Sequence, residues 1–148
     1  MAAQEEELGP VDVMVIGFPQ GAPMTGEAIP LLVDLVENGI VRVLDVMFVS
    51  KGEDGSFEGF GATNLSDMGV GDMTVFEGAS TGILGQDDVS EAASALEPGE
   101  AAVLLMYENR WAAPFANAVR RNGGVLIANQ RIPIQEVEAA LDAAEAAV

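Results

Sequence analysis

Six apolar residues in a row, Ala101 to Met106, run into Tyr107 and then stop abruptly at Glu108-Asn109-Arg110-Trp111. No other stretch constrains the fold of this chain so strongly. An unbroken apolar run suits a strand covered on both faces of a sheet, because successive side chains point to opposite sides. The polar residues emerge where that strand should end and a helix begin. The stretch holds the only Trp and the only Tyr of the chain. Glu108, Asn109, Arg110 and Trp111 are therefore the first candidate site. A planar guanidinium beside an aromatic ring and a carboxylate can hold a carboxylate ligand or anchor a partner surface. The plainer role is structural, with Glu108 and Arg110 paired to neighbours and Trp111 stapling the next helix onto the sheet.

A chain of 148 residues with 49% hydrophobic content is long enough for one domain with a real core. Only 5% of its residues are aromatic, so that core should be closely packed small and medium side chains. It has no Cys and no His. Disulfides, thiolate nucleophiles and thiolate or imidazole metal sites are excluded, as are Ser–His–Asp and Cys–His constellations. No pattern asks for a cofactor. The net charge of −18 argues against nucleic acid and anionic membrane surfaces as partners. No run reaches the roughly 18 apolar residues of a membrane-spanning helix. The acidic N-terminal stretch is unlike a signal peptide, so a cytoplasmic location is expected.

In chain order, residues 1–9 read as an acidic tail and 10–148 as a single domain. Val11–Phe18 reads as a strand and Pro19–Pro23 as a loop. A helix capped by Thr25 follows, with Ile29, Leu32, Val33 and Val36 on one face and Asn38-Gly39 as its stop. Ile40–Val49 is a second strand, Glu53-Asp54-Gly55 a turn, and Ser56–Phe60 the returning strand. Residues 61–86 form a Gly-rich insertion, long enough to suggest an interaction segment. Asp88 and Glu91 suggest a capping box for a helix with Val89, Ala92, Ala93 and Leu96 on one face. After the strand at 101–107 come a short helix ending at Gly123-Gly124, a strand at Val125–Ala128, and a last helix from Pro133. This order predicts an α+β fold, a ferredoxin-like βαββαβ sandwich extended by a C-terminal α-β-α.

Several phrases together resemble a bacterial family of unknown function numbered 6325. They are Gly9-Pro10-Val11-Asp12, Ile16-Gly17-Phe18-Pro19, Thr25-Gly26-Glu27, Val41-Arg42-Val43-Leu44-Asp45, Phe48-Val49-Ser50-Lys51, Leu96-Glu97-Pro98-Gly99, Glu108-Asn109-Arg110-Trp111-Ala112 and Arg131-Ile132-Pro133. The first half also looks like a related family numbered 1269, described as membrane-associated or stress-linked. The resemblance implies a ferredoxin-like fold and brings no activity and no catalytic residues. A membrane role does not carry over, because Asp67, Asp72 and Glu77 break the apolar middle segment.

Three smaller features have structural explanations beside their functional ones. Asp45 lies inside an apolar strand and needs a partner, for which Arg42 and Arg131 are available. Gly17–Gly21 sits where phosphate loops occur but lacks their patterns. Glu53-Asp54-Gly55 and Asp87-Asp88 do not match a calcium loop, and turn and cap roles account for them. Lys51, the only lysine, leaves a Ser–Lys pair formally open. Two functions are expected. One is a non-enzymatic, homo-oligomeric assembly or scaffold protein whose contacts include Val70, Met73, Val75 and Phe76. The other is a small-ligand sensor or binding module, with a pocket near Arg110, Trp111 and the loop after Phe18, the same residues being the candidate interface for a protein partner.

Overall fold

In a computed structural model that describes residues 8–23, 26–61 and 81–147, the apolar run at 101–107 lies in a central strand. Residues 1–118 form one compact unit and residues 119–148 a second. In the first unit, β1 (Val11–Phe18), α1 (Ala28–Glu37), β2 (Arg42–Lys51), β3 (Phe57–Gly61), α2 (Gln86–Ser94) and β4 (Ala101–Glu108) follow in the expected order. The strands make a four-stranded antiparallel sheet with the order β1-β4-β2-β3.

The arrangement across the sheet differs from the ferredoxin-like expectation. A ferredoxin-like sheet carries its first and third strands in the middle and both helices on one face. Here β4 and β2 hold the middle, and the helices take opposite faces. Ile29, Leu32, Val33 and Val36 of α1 pack toward Val46, Phe48, Leu105 and Tyr107. Val89, Ala92 and Ala93 of α2 pack with Val49, Leu84, Leu104 and Met106. Alternate residues of β4 therefore feed two cores, which is why the run is apolar without a break. Each fully buried Leu or Val contributes about 1.5–3 kcal/mol; Leu104, Val46, Val49 and Val89 are the largest such side chains.

Local chemistry fixes the element ends. α1 stops at Asn38, where the Gly39 and Ile40 N–H groups donate to Val36 O (3.1 Å) and Leu35 O (2.9 Å). Gly39 takes the left-handed conformation this motif requires, φ +70°. Thr25, expected as the cap of α1, lies outside the described residues. At the start of α2 the Asp88 carboxylate accepts the Gly85 N–H at 2.9 Å. The box thus falls three residues earlier than the Asp88–Glu91 expectation, because Asp88 occupies the third helical position rather than the cap.

Lys51 closes the other end of α2. Its Nζ donates to Ala93 O (3.1 Å), which also accepts the Leu96 N–H, and to Leu96 O (2.9 Å) just beyond the helix, so a cation sits at the negative end of α2. The ammonium is engaged there, away from any Ser–Lys chemistry. Lys51→Met should lower stability by about 1–2 kcal/mol, read as a lower urea midpoint with an unchanged slope.

In the second unit, α3 (Ala113–Arg121), which begins in the first, ends as α1 does. The Gly123 and Gly124 N–H groups donate to Arg120 O (3.0 Å) and Val119 O (2.9 Å). α4 (Ile134–Ala146) starts directly after Pro133. The strand expected at Val125–Ala128 is not formed: these residues are exposed, Ile127 at 91%, and belong to no ladder. An extended run becomes a strand only where a neighbour takes up its backbone groups. Among the described residues no helix is long and apolar enough to cross a membrane.

Candidate functional site

Glu108 is the last residue of β4, and its position decides its role. Antiparallel pairing sets it opposite Val11 on β1 and opposite Arg42 on β2. Its side chain is 4% exposed. Oε2 accepts the Gly9 N–H at 2.8 Å, and Oε1 lies 3.3 Å from Arg42 Nε and 3.9 Å from Arg110 Nη1. Oε1 makes no hydrogen bond. The arginine contacts are therefore charge contacts without hydrogen-bond alignment, and both guanidinium-bearing side chains are about half exposed.

Asn109 carries the tie further. Its backbone N–H and its Nδ2 donate to Pro10 O at 2.8 and 3.0 Å, and Nδ2 also donates to Asp12 Oδ2 at 2.8 Å. Trp111 Nε1 donates to Asn109 Oδ1 at 3.3 Å, and the Trp111 backbone N–H donates to Ile40 O at 3.1 Å. The indole itself is 67% exposed, so it does not staple the helix by burial. Glu108 and Asn109 thus act as a clasp that holds Gly9–Asp12 and β2 to the end of β4. Arg110 and Trp111 project from the clasp with exposed side chains, a cation and a ring that a partner surface could meet.

Phe18 does not join this cluster. It pairs with Ala101, at the opposite end of β1 from Val11. Seven residues of strand put it roughly 24 Å away from Glu108. Sequence proximity to the first loop had grouped Phe18 with Arg110; the antiparallel register separates them. A cavity of about 290 Å³ lies instead against α1, lined by Met14, Leu31, Leu32, Leu35, Leu105 and Tyr107 among others. None of Phe18, Arg110 and Trp111 lines it. Its walls suit an apolar group, not the carboxylate ligand expected from Arg110.

Asp45 is buried at a break in register between β2 and β4. Its partners are not Arg42 or Arg131 but backbone amides: Oδ1 accepts Val46 N–H and Oδ2 accepts Leu84 N–H, each at 3.0 Å. The carboxylate pins the chain as it returns toward α2, and Arg42 is left to Glu108. Asp54 serves the β2–β3 turn, where the Ser56 hydroxyl and N–H donate to Oδ1 at 2.6 and 3.0 Å. The Ser56 hydroxyl and then its amide hold this carboxyl below the ordinary carboxylate range. Val70, Met73, Val75 and Phe76, expected as oligomer contacts, lie outside the described residues.

Val11–Phe18 forms the strand expected of it, β1, but sequence reading missed its place in the sheet. Among the described residues it is an edge strand, yet Val11, Val13, Met14, Val15 and Ile16 are all exposed, Val13 at 52% and Val15 at 57%. The signal was present as an apolar run, but a run does not tell an edge from a centre. Comparison with known proteins gives a family and no relative of known activity. The model of a family described as a family of unknown function (DUF6325) matches residues 7–148. No curated protein and no solved structure matches the chain.

Proposed function

The chain belongs to this family of unknown function, DUF6325, and we propose that it is a non-enzymatic assembly protein that acts by self-association. The observation that carries the reading is β1: a sheet edge of eight residues with five large apolar side chains exposed. Soluble monomers rarely leave a long apolar edge open, because its free N–H and C=O groups recruit any other strand. The other edge, β3, is short and carries Glu58 and two glycines, which blunts it.

Charge opposes association. Each subunit carries −18, and salt screens that repulsion within about 10 Å at 0.1 M. The test is native mass by light scattering across protein concentration at low and high salt. A mass above the 15.4 kDa of one chain, rising with salt, is the expected result. A monomer at every concentration and both salts would overturn the proposal.

A further inference from the structure

The hydrogen-bond phase of β1 determines how a second copy can meet it. The Asn109 N–H donates to Pro10 O, and the register continues that pairing as Val11 opposite Glu108 and Asp12 opposite Tyr107. Antiparallel ladders alternate hydrogen-bonded and open pairs. Even-numbered residues of β1 therefore turn their backbone groups toward β4. Val11, Val13, Val15 and Gly17 turn theirs outward, to the open edge. No register shift interrupts β1 against β4, and the strand contains no Lys and no Pro. Asp12 is the one charge on it, so of the usual devices that keep edges apart it has neither Lys, Pro nor a bulge.

We infer that β1 pairs with β1 of a second copy, antiparallel, about a two-fold axis through Met14, so that two sheets become one of eight strands. This rests on the self-association reading and names its contact. A two-fold axis perpendicular to the sheet keeps each side chain on its own face, so paired residues have the same parity. Among the registers open to such a pair, the one centred on Met14 uses every outward group. It sets Val13 opposite Val15 and Val11 opposite Gly17 in both directions, exchanging about eight hydrogen bonds. It also keeps Asp12 from facing its own copy, placing it opposite Ile16. A strand from another protein would meet the hydrogen bonds but has no reason to meet both the Val13–Val15 pairs and the charge spacing. Self-pairing meets them by symmetry.

The chain has no Cys, so single-cysteine variants of the full chain report the register directly. At the axis the two position-14 residues form an open pair with Cα atoms about 4.5 Å apart, inside the disulfide range. Met14→Cys should give a disulfide-linked dimer under mild oxidation on the order of tenfold faster than Asp12→Cys or Ile16→Cys, which face each other rather than themselves. Val13→Lys, on the exposed edge, should abolish the dimer in light scattering while leaving the circular dichroism unchanged. Equal cross-linking at 12, 14 and 16 would overturn the inference, as would protected outward amides in a monomer, where the chain itself occupies the edge. A salt-dependent oligomer that neither cross-links through Met14 nor responds to Val13→Lys would overturn the strand pairing and leave self-association standing. A monomer throughout would remove both.

Discussion

Glu108→Ala is expected to destabilise the first unit by about 3 kcal/mol, and Glu108→Gln by only about 1 kcal/mol. The difference separates the two jobs of one carboxylate. Alanine leaves the Gly9 N–H, a buried donor, without its acceptor, and removes atoms from a side chain that is 4% exposed. It also detaches two arginines from their counter-charge. Glutamine keeps an oxygen for Gly9, loses the charge, and turns an NH2 donor toward the two half-exposed arginines, which can swing away to water. The arginine side chains are half exposed and meet Oε1 without hydrogen-bond geometry, so water screens most of that loss. Equilibrium urea unfolding of both variants gives the two numbers. Equal losses would mean that the ion contacts, not the Gly9 tie, hold the clasp. Hydrogen exchange adds a local readout: the Gly9 amide should exchange faster in Glu108→Ala and little faster in Glu108→Gln.

The same residue shows which parts of this fold can be read from sequence. That Glu108 ends a two-sided strand follows from the apolar run before it, a local pattern. That it needs partners follows from the cost of burying a charge. Its main partner, Gly9, stands ninety-nine positions away, and no local rule could name it. The same divide holds elsewhere. The stripe of α1, the Asn38-Gly39 stop and the Asp54-Gly55 turn are short-range chemistry, and the structure keeps all three. The strand order is long-range. It depends on which strands pair across the sheet, so the succession β-α-β-β-α-β fits both a ferredoxin-like order and the one found. Phe18 was misgrouped for the same reason, and Asp45 was assigned arginines because the returning amide of Leu84 is invisible in sequence. Val125–Ala128 failed the other way. Its strand propensity is genuine, but propensity without a neighbouring ladder does not make a strand.

Gly59→Ala should be a large effect from a single methyl group. Gly59 lies on β3, an edge strand among the described residues, on the side that faces α2. A Cβ at this position would lie 2.9 Å from both methyl groups of Val89. Val89 is completely buried on α2, and the helix crosses β3 at van der Waals distance only because residue 59 has no side chain. A β-branched side chain in a helix has one favoured rotamer, so Val89 cannot swing aside. The helix must lift from the sheet, at about 2–3 kcal/mol. Val89→Ala alone removes both methyls from a filled core and should cost about 2–3 kcal/mol through lost burial and the cavity. In the double variant the new methyl enters the space the old ones left. The combined loss should therefore be smaller than the sum of the single losses by about 2 kcal/mol, a coupling within the range seen for residues in contact. Urea unfolding of the four proteins measures it. Strict additivity would mean that α2 does not rest on Gly59, and the packing of α2 against β3, on which the second core depends, would have to be redrawn.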